Sequence, residues 1–324
     1  MEDKFEDYFN ALFMEISNKA NEVYGEKSED SKVVETDKIN EICKINKTSK
    51  IAVSTIYIGG GTPSLVPEKY IEQLISLLYQ KFEISKEAEI TIEANPGTIN
   101  KEKLRKYVGI GINRISIGLQ STNNSLLKLL GRIHKYEDFE ATFELARKAG
   151  FNNINVDLMI GLPNQTIEDV EDSLDKIISK SPEHISVYSL IVEEGTEMCR
   201  LIDENILELP SEDVERKMYW RVRQVLEANG YKHYEISNFA KEGYCSRHNM
   251  DCWNQHNYLG FGASAHSYYQ DNRYSNITNI KSYIENLENN ASIYNIILHE
   301  HQLKNDKMKE FMLLRFKKDR RSAN

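Results

Sequence analysis

The sequence predicts an α/β fold, a parallel sheet or barrel built from alternating strands and helices. Three observations carry this expectation. Short runs rich in Ile and Val alternate with longer runs of helical periodicity between residues 51 and 195. The apolar runs end in residues too small or too polar for packing alone, which is where parallel sheets and barrels hold their ligands. The chain has 324 residues, enough for one large α/β domain and a smaller one.

Residues 5–19 place Phe5, Tyr8, Phe9, Leu12, Phe13 and Ile16 at helical spacing, which predicts a first helix. Residues 26–50 are polar and read as a surface insertion or a helix extension. "IAVSTIYIGG" (51–60) then reads as a strand, and Pro67 to Phe82 as a helix with Ile71, Leu74, Ile75 and Leu78 on one face. "AEITIEANPG" (88–97) is a second strand, followed by a helix from Asn100 to Val108. "INRISIGLQS" (112–121) is a third, followed by helical segments up to Gly150. "NINVDLMIGLP" (153–163) is a fourth, after which a helix opens near Thr166 with acids in its first turn. "EHISVYSLIVEEG" (183–195) is the fifth. Such alternation implies right-handed βαβ units, and the Ile and Val content is that of strands covered on both faces. From residue 231 the texture changes to a segment dense in Tyr, His, Asn and Gly. The expected division is therefore a core over 1–230 and a smaller region over 231–324 that packs across the barrel mouth.

Composition narrows the function. Net charge is −9 with no long basic run, which disfavours nucleic acid as a partner. No apolar stretch approaches the length of a membrane span. The N-terminus is acidic and amphipathic, unlike a signal peptide, so the expected location is the cytoplasm. The four cysteines, Cys43, Cys199, Cys245 and Cys252, match no zinc or iron–sulfur spacing and read as reduced structural thiols.

The strand ends supply the candidate site. They are Gly59-Gly60-Gly61-Thr62, Glu93-Ala94-Asn95-Pro96, Gln120, Asp157 and Glu193-Glu194. Polar groups at the ends of successive parallel strands converge on one place. The glycine run is not a phosphate loop, because no Gly-Lys-Ser/Thr follows, and it lacks the order of a dinucleotide fingerprint. On its own it is either a tight turn or a ligand cradle.

Five ordered blocks carry a resemblance: "YIGGGTPSLV", "IEANPGTINKEKL", "GINRISIGLQSTNNSLLKLLGRIH", "NVDLMIGLPNQT" and "YEISNFAKEGYCSRHN". They closely resemble the radical S-adenosylmethionine (SAM) family, specifically the oxygen-independent coproporphyrinogen III oxidase group and its heme-chaperone (HemW-type) branch. The resemblance runs from about residue 5 to about residue 315. It implies a (β/α)6 radical SAM barrel, partial here because the first strand is absent, followed by a smaller α/β to helical region. It implies a SAM pocket in which Gly60, Gly61 and Thr62 meet the methionine end and Glu93, Gln120, Arg132 and Asp157 make further contacts, Asp157 to a ribose hydroxyl. "RHNMDCW" (247–253) resembles the heme-associated element of the chaperones, with His248, Asn249 and Trp253 matching and Cys252 standing where the element has tyrosine. His248 is thereby the candidate heme ligand, with His256 and His266 behind it; the segment around His266 resembles the one that closes the SAM site.

The family's Cys-x-x-x-Cys-x-x-Cys loop, whose thiolates hold a [4Fe–4S] cluster, is not in this sequence. "KKDRRSAN" also fails to continue the family's C-terminal segment, so the chain is expected to be truncated at both ends. Without cluster ligands it should not reduce SAM, and "STIYIGG" should lie at an open sheet edge that invites association. The implied role is binding and delivery of heme to an acceptor protein, a membrane-associated one included, by a monomer or homodimer. The alternatives are the oxidase, which decarboxylates coproporphyrinogen III, and a non-functional remnant.

Overall fold

The computed structural model describes residues 2–24, 50–303 and 306–310. The expected insertion at 26–50 lies outside the described residues except for Lys50, as do Cys43 and the tail from residue 311.

Helix α1 (Glu2–Tyr24) precedes strand β1 (Ala52–Ile58), α2 (Glu68–Lys81) and β2 (Glu83–Ala94). Next come α3 (Lys101–Gly109), β3 (Arg114–Gln120), α4 (Asn124–Leu129), α5 (Tyr136–Ala149) and β4 (Ile154–Ile160). They are followed by α6 (Ile167–Lys180), β5 (His184–Ser189), α7 (Glu197–Asp203) and α8 (Glu212–Ala228). The last elements are β6 (Lys232–His233), β7 (Asn238–Ala240), α9 (Arg247–Trp253), β8 (His266–Tyr269), β9 (Asn272–Asn276), α10 (Ile280–Glu288) and β10 (Ile296–His301).

The caps explain several boundaries. The Asn100 side chain accepts from Lys103 N at the start of α3, and Thr166 with Asp169 forms a capping box on α6. Helix α5 stops at Gly150, whose φ of 109° is left-handed. Strand β5 is shorter than the apolar run predicted. It ends at Ser189, and the chain then turns, with the Thr196 hydroxyl donating to Glu193 O. Glu193 and Glu194 therefore lie beyond the sheet and are exposed, so they do not belong with the other strand ends.

Strands β1 to β5 occupy sequence order in a seven-stranded sheet, β1-β2-β3-β4-β5-β7-β6. The β2/β3, β3/β4 and β4/β5 pairs are parallel, as the alternation implied, whereas β7 runs antiparallel to both β5 and β6. Among the described strands β1 stands at one end of this order, the expected open edge. A second, antiparallel sheet has the order β10-β9-β8.

The described chain divides into two compact units. One gathers residues from Met1–Ser54, Lys69–Ala88 and Asp251–Met312; the other gathers Thr55–Glu68 and Glu89–Met250. In the first, α1 buries Phe9, Ala11, Leu12, Ile16 and Ala20, with Phe9 stacked on Tyr70 and Tyr8 against Tyr283. One carboxylate is carried into this contact. Glu15 accepts from Gly262 N (2.8 Å), Asn276 Nδ2 (2.6 Å) and Tyr283 OH (2.6 Å). Burial pushes its carboxyl up, while these three bonds pull the other way. Glu15→Ala strands three buried donors and is expected to cost about 3 kcal/mol. At this chain length that is a drop of roughly 6–12 °C in Tm, and a melting curve that overlays the wild type would contradict it.

In the second unit the strands alternate with period two. Ile90, Ile92, Ile115, Ile117, Leu119, Ile154, Val156, Leu158, Ile185 and Val187 form its buried apolar set. The intervening positions are polar: Glu89, Thr91 and Glu93; Arg114, Ser116 and Gln120; Asn155 and Asp157; His184, Ser186 and Tyr188. Both faces are covered, as expected, for every residue of β3 is buried, yet the two differ in chemistry. One face of this sheet is lined by hydrogen-bonding groups.

Candidate functional site

Register brings the polar positions level. Ser116 pairs with Asn155, and Asp157 with Ser186. Their side chains, with Tyr57, Glu93, Arg114, Tyr188 and Asn249, line a cavity of about 240 Å³. Asp157 accepts from Asn155 Nδ2 (2.7 Å) and Ser116 Oγ (3.2 Å). Burial pushes its carboxyl up, and the charge of Glu93 adds to the effect.

Glu93 is held at the glycine turn. It accepts from Tyr57 OH (2.8 Å) on one oxygen and from Gly60 N (3.0 Å) on the other. Burial, then the Glu93 charge, pushes the Tyr57 hydroxyl up, so it remains a proton donor to that carboxylate. Gly60 and Gly61 have φ of 82° and 57°, the left-handed region open to glycine at little cost. A Cβ on either would meet nothing within 4 Å, so the turn faces open space.

A second string runs beside the first. Thr62 Oγ1 accepts from Asn95 Nδ2 (3.0 Å), and Asn95 Oδ1 accepts from Arg132 Nη1 at 3.4 Å. Burial draws the Arg132 guanidinium down, and the Asp157 charge works against that. Gln120 ends β3 where its register shifts, with φ of 73°. Gly118 leaves room for it: a Cβ there would lie 3.1 Å from both Gln120 Nε2 and Asn95 Oδ1.

His248 lies on α9, its ring stacked on Tyr57 with centroids 5.1 Å apart and Nδ1 3.1 Å from Thr55 Oγ1. If Nδ1–H donates to Thr55, Nε2 carries the lone pair a metal ligand needs. The main chain of α9 is fixed by Glu89, which accepts from Arg247 N (3.0 Å), His248 N (3.2 Å) and Ser246 Oγ (3.1 Å). His256 bonds Asp251 and His266 stacks on His299, both in the first unit.

The site residues expected from sequence thus fall into linked groups: Gly60–Glu93–Tyr57–His248, Thr62–Asn95–Arg132 with Gln120 alongside, and Asp157 in the cavity. Sequence reasoning missed Tyr57, Arg114, Asn155, His184 and Tyr234. The period-two polarity within β3, β4 and β5 was the available signal. His184 is fully buried, with Nδ1 2.5 Å from Asn155 Oδ1 and Nε2 2.7 Å from Tyr234 OH. The Asn155 amide donates to Asp157, so its oxygen must accept from His184 Nδ1–H. Nε2 then accepts from Tyr234, whose oxygen in turn accepts from Ser246 N (3.2 Å). A directed chain of hydrogen bonds therefore runs from the cavity carboxylate to Ser246 and Glu89 at the head of α9.

Among the described residues no group of three His, Cys, Asp or Glu side chains could hold a metal ion. These residues do not fit an iron–sulfur cluster. No described helix is long and apolar enough to cross a membrane.

Residues 16–177, half of the chain, match the model of the radical SAM superfamily. The chain is 42% identical over 253 residues to the heme chaperone HemW of Bacillus subtilis (strain 168), an alignment covering 78% of this chain and 66% of that protein. It is 39% identical over 231 residues to the HemW of Lactococcus lactis subsp. lactis, covering 71% and 61% respectively. For the HemW of Escherichia coli (strain K12) the figures are 39% over 214 residues, with 66% and 56% covered. The chain thus spans between about half and two thirds of the length of these relatives. The solved structure of coproporphyrinogen III oxidase (HemN) from Escherichia coli, a radical SAM enzyme, superposes with a TM-score of 0.77 at 22% identity, over 97% of this chain and 69% of that one. That likeness bears out the expected partial α/β barrel. The chain belongs to the radical SAM superfamily and, within it, to the HemW-like family.

Proposed function

We propose that this chain binds heme and passes it to an acceptor protein, acting in the cytoplasm. In this reading His248 ligates the heme iron. Gly60, Gly61, Thr62, Glu93, Gln120, Arg132 and Asp157 form a SAM pocket in a core over 1–230, and residues 231–324 complete the heme-handling region. The observation that carries the reading is the Tyr57 bridge. The Tyr57 ring stacks on His248 while its hydroxyl holds Glu93, so one residue joins the heme candidate to the SAM candidate. The glycine turn fits the methionyl end of SAM, having open space before it and two carboxylates for a sulfonium-bearing cation. Bound there, SAM would supply a positive charge between Glu93 and Asp157, and this chain's residues would only hold and orient it.

A heme titration followed at the Soret band tests the assignment. His248→Ala is expected to move the Soret maximum and weaken binding at least tenfold, with no turnover of coproporphyrinogen III by either protein. A Soret band identical in both proteins would remove His248 as the ligand. Release of carbon dioxide from coproporphyrinogen III would favour the oxidase reading instead.

A further inference from the structure

The chain beyond β5 is anomalous. Between Ile191 and Pro210 no residue is buried, although the stretch is rich in Ile and Leu, and α7 within it buries none of its seven residues. Ile191, Ile206 and Leu209 are 76%, 60% and 37% exposed. The stretch is nonetheless locally well formed. At its root Leu190 N donates to Ile160 O (2.9 Å), and at the head of α7 the Thr196 hydroxyl accepts from Cys199 N (3.2 Å). Ile206 N and Leu207 N both donate to Leu201 O (2.9 and 3.1 Å), which folds the chain back on the last turn of that helix. A formed surface that leaves its large apolar side chains uncovered marks an interaction site.

Charge selects what the surface contacts. Arg200 is the one base between Ile191 and Pro210, and Glu197 and Glu204 engage it at 2.6 Å each. Glu193, Glu194 and Glu208 stand exposed in the same stretch. Such a field repels an anionic porphyrin, an anionic lipid surface and, at a net charge of −9, a second copy of this chain. It attracts an apolar surface ringed by Lys or Arg, the complement of an acidic rim around apolar anchors. We infer that residues 191–210 are a docking arm for a protein with a basic, amphipathic contact surface. Tyr188 precedes the arm, lines the cavity and is 42% exposed, so the arm begins at the rim of the proposed ligand site. That placement makes the docked protein the heme acceptor, and in this respect alone the inference rests on the heme-delivery reading.

The test uses the full chain without heme and two synthetic amphipathic helical peptides. Both carry leucine on one face; the other face is lysine in one and glutamate in the second. By fluorescence anisotropy the wild type is expected to bind the lysine peptide about tenfold or more tightly than the glutamate peptide, with an affinity that falls as salt rises. The double variant Ile191→Ser, Ile206→Ser changes two exposed side chains, so it is expected to melt as the wild type does and to bind the lysine peptide about fivefold or more weakly. The triple variant Glu193→Gln, Glu194→Gln, Glu208→Gln is expected to weaken binding and flatten its salt dependence. Equal binding of the two peptides, binding of neither, or an affinity unchanged in both variants overturns the inference. So does a wild-type dimer in sedimentation that the Ile variant loses, which would give the arm to a second copy. Binding of phosphatidylcholine vesicles by the wild type and not by the Ile variant would give it to lipid, and overturns the inference equally. A chain that docks the lysine peptide through these residues and binds no heme keeps the arm and removes the heme reading.

Discussion

Gly59→Ala is expected to weaken heme and SAM binding together while lowering stability by about 1–3 kcal/mol, the usual cost of overpacking a close contact. The Cβ would sit 2.7 Å from Tyr57 Cε1 and 2.9 Å from the Glu93 carboxylate, closer than real Cβ contacts allow. Neither neighbour can give way alone, because the Tyr57 hydroxyl holds Glu93 and the Tyr57 ring holds His248. Gly60 and Gly61 differ in kind, since substitution there strains the backbone and meets no neighbour. The check is a pair of titrations, heme by absorbance and SAM by calorimetry, beside a melting curve. Binding of both ligands at wild-type affinity would show that the bridge does not join the two sites.

The second large effect is expected at His184. Burial, reinforced by the charge of Arg114, holds its imidazole well below the ordinary value of 6.5, so it is neutral in the folded protein. The groups facing it are Asn155, Tyr234 and Arg114. The unfolded chain takes up a proton below pH 6.5 and the folded chain does not. Folding stability therefore falls as pH drops through that value, by up to about 1.4 kcal/mol per pH unit from this group. His184→Ala removes that dependence, takes from Asn155 Oδ1 one of its two donors (Ser186 Oγ remains) and leaves the Tyr234 O–H without its acceptor, at a cost of about 1–3 kcal/mol at neutral pH. Denaturant melts of both proteins between pH 5 and pH 7.5 measure the two effects at once. An unchanged slope with pH in the variant would mean that His184 is not the neutral link in the chain.

Much of this architecture was legible in the sequence, because βαβ alternation is written in the periodicity of the chain. The helices at 68–81 and 101–109 begin and end within about two residues of the expected limits, and that at 167–180 opens where expected, set by local signals such as Asn100 and Thr166. The end of β5 was not legible, since "LIV" after Ser189 is as apolar as the strand itself and only the turn at Glu193–Thr196 ends it. The site was half legible. Gly60, Glu93 and Gln120 stand at strand ends, where position alone marks them; Asp157, expected at one, lies midway along β4 and reaches the cavity because its side chain falls on the polar face. Arg114 and His184 stand at strand beginnings, where a buried charge and a neutral imidazole acquire meaning only through neighbours from other strands. Resemblance supplied His248, and no local rule would have chosen it over His256 or His266.

Helix α9 is tied down by its main chain. Arg247 N and His248 N reach the Glu89 carboxylate, and Asn249 N reaches the Ser246 hydroxyl at 3.3 Å. None of these bonds consults the side chains that the first turn displays. The helix is in this sense a fixed mount with interchangeable tools. If His248 is the iron ligand proposed above, a lineage is free to exchange it for methionine or cysteine, and so to retune affinity and redox potential, while the strand beneath holds the mount in place.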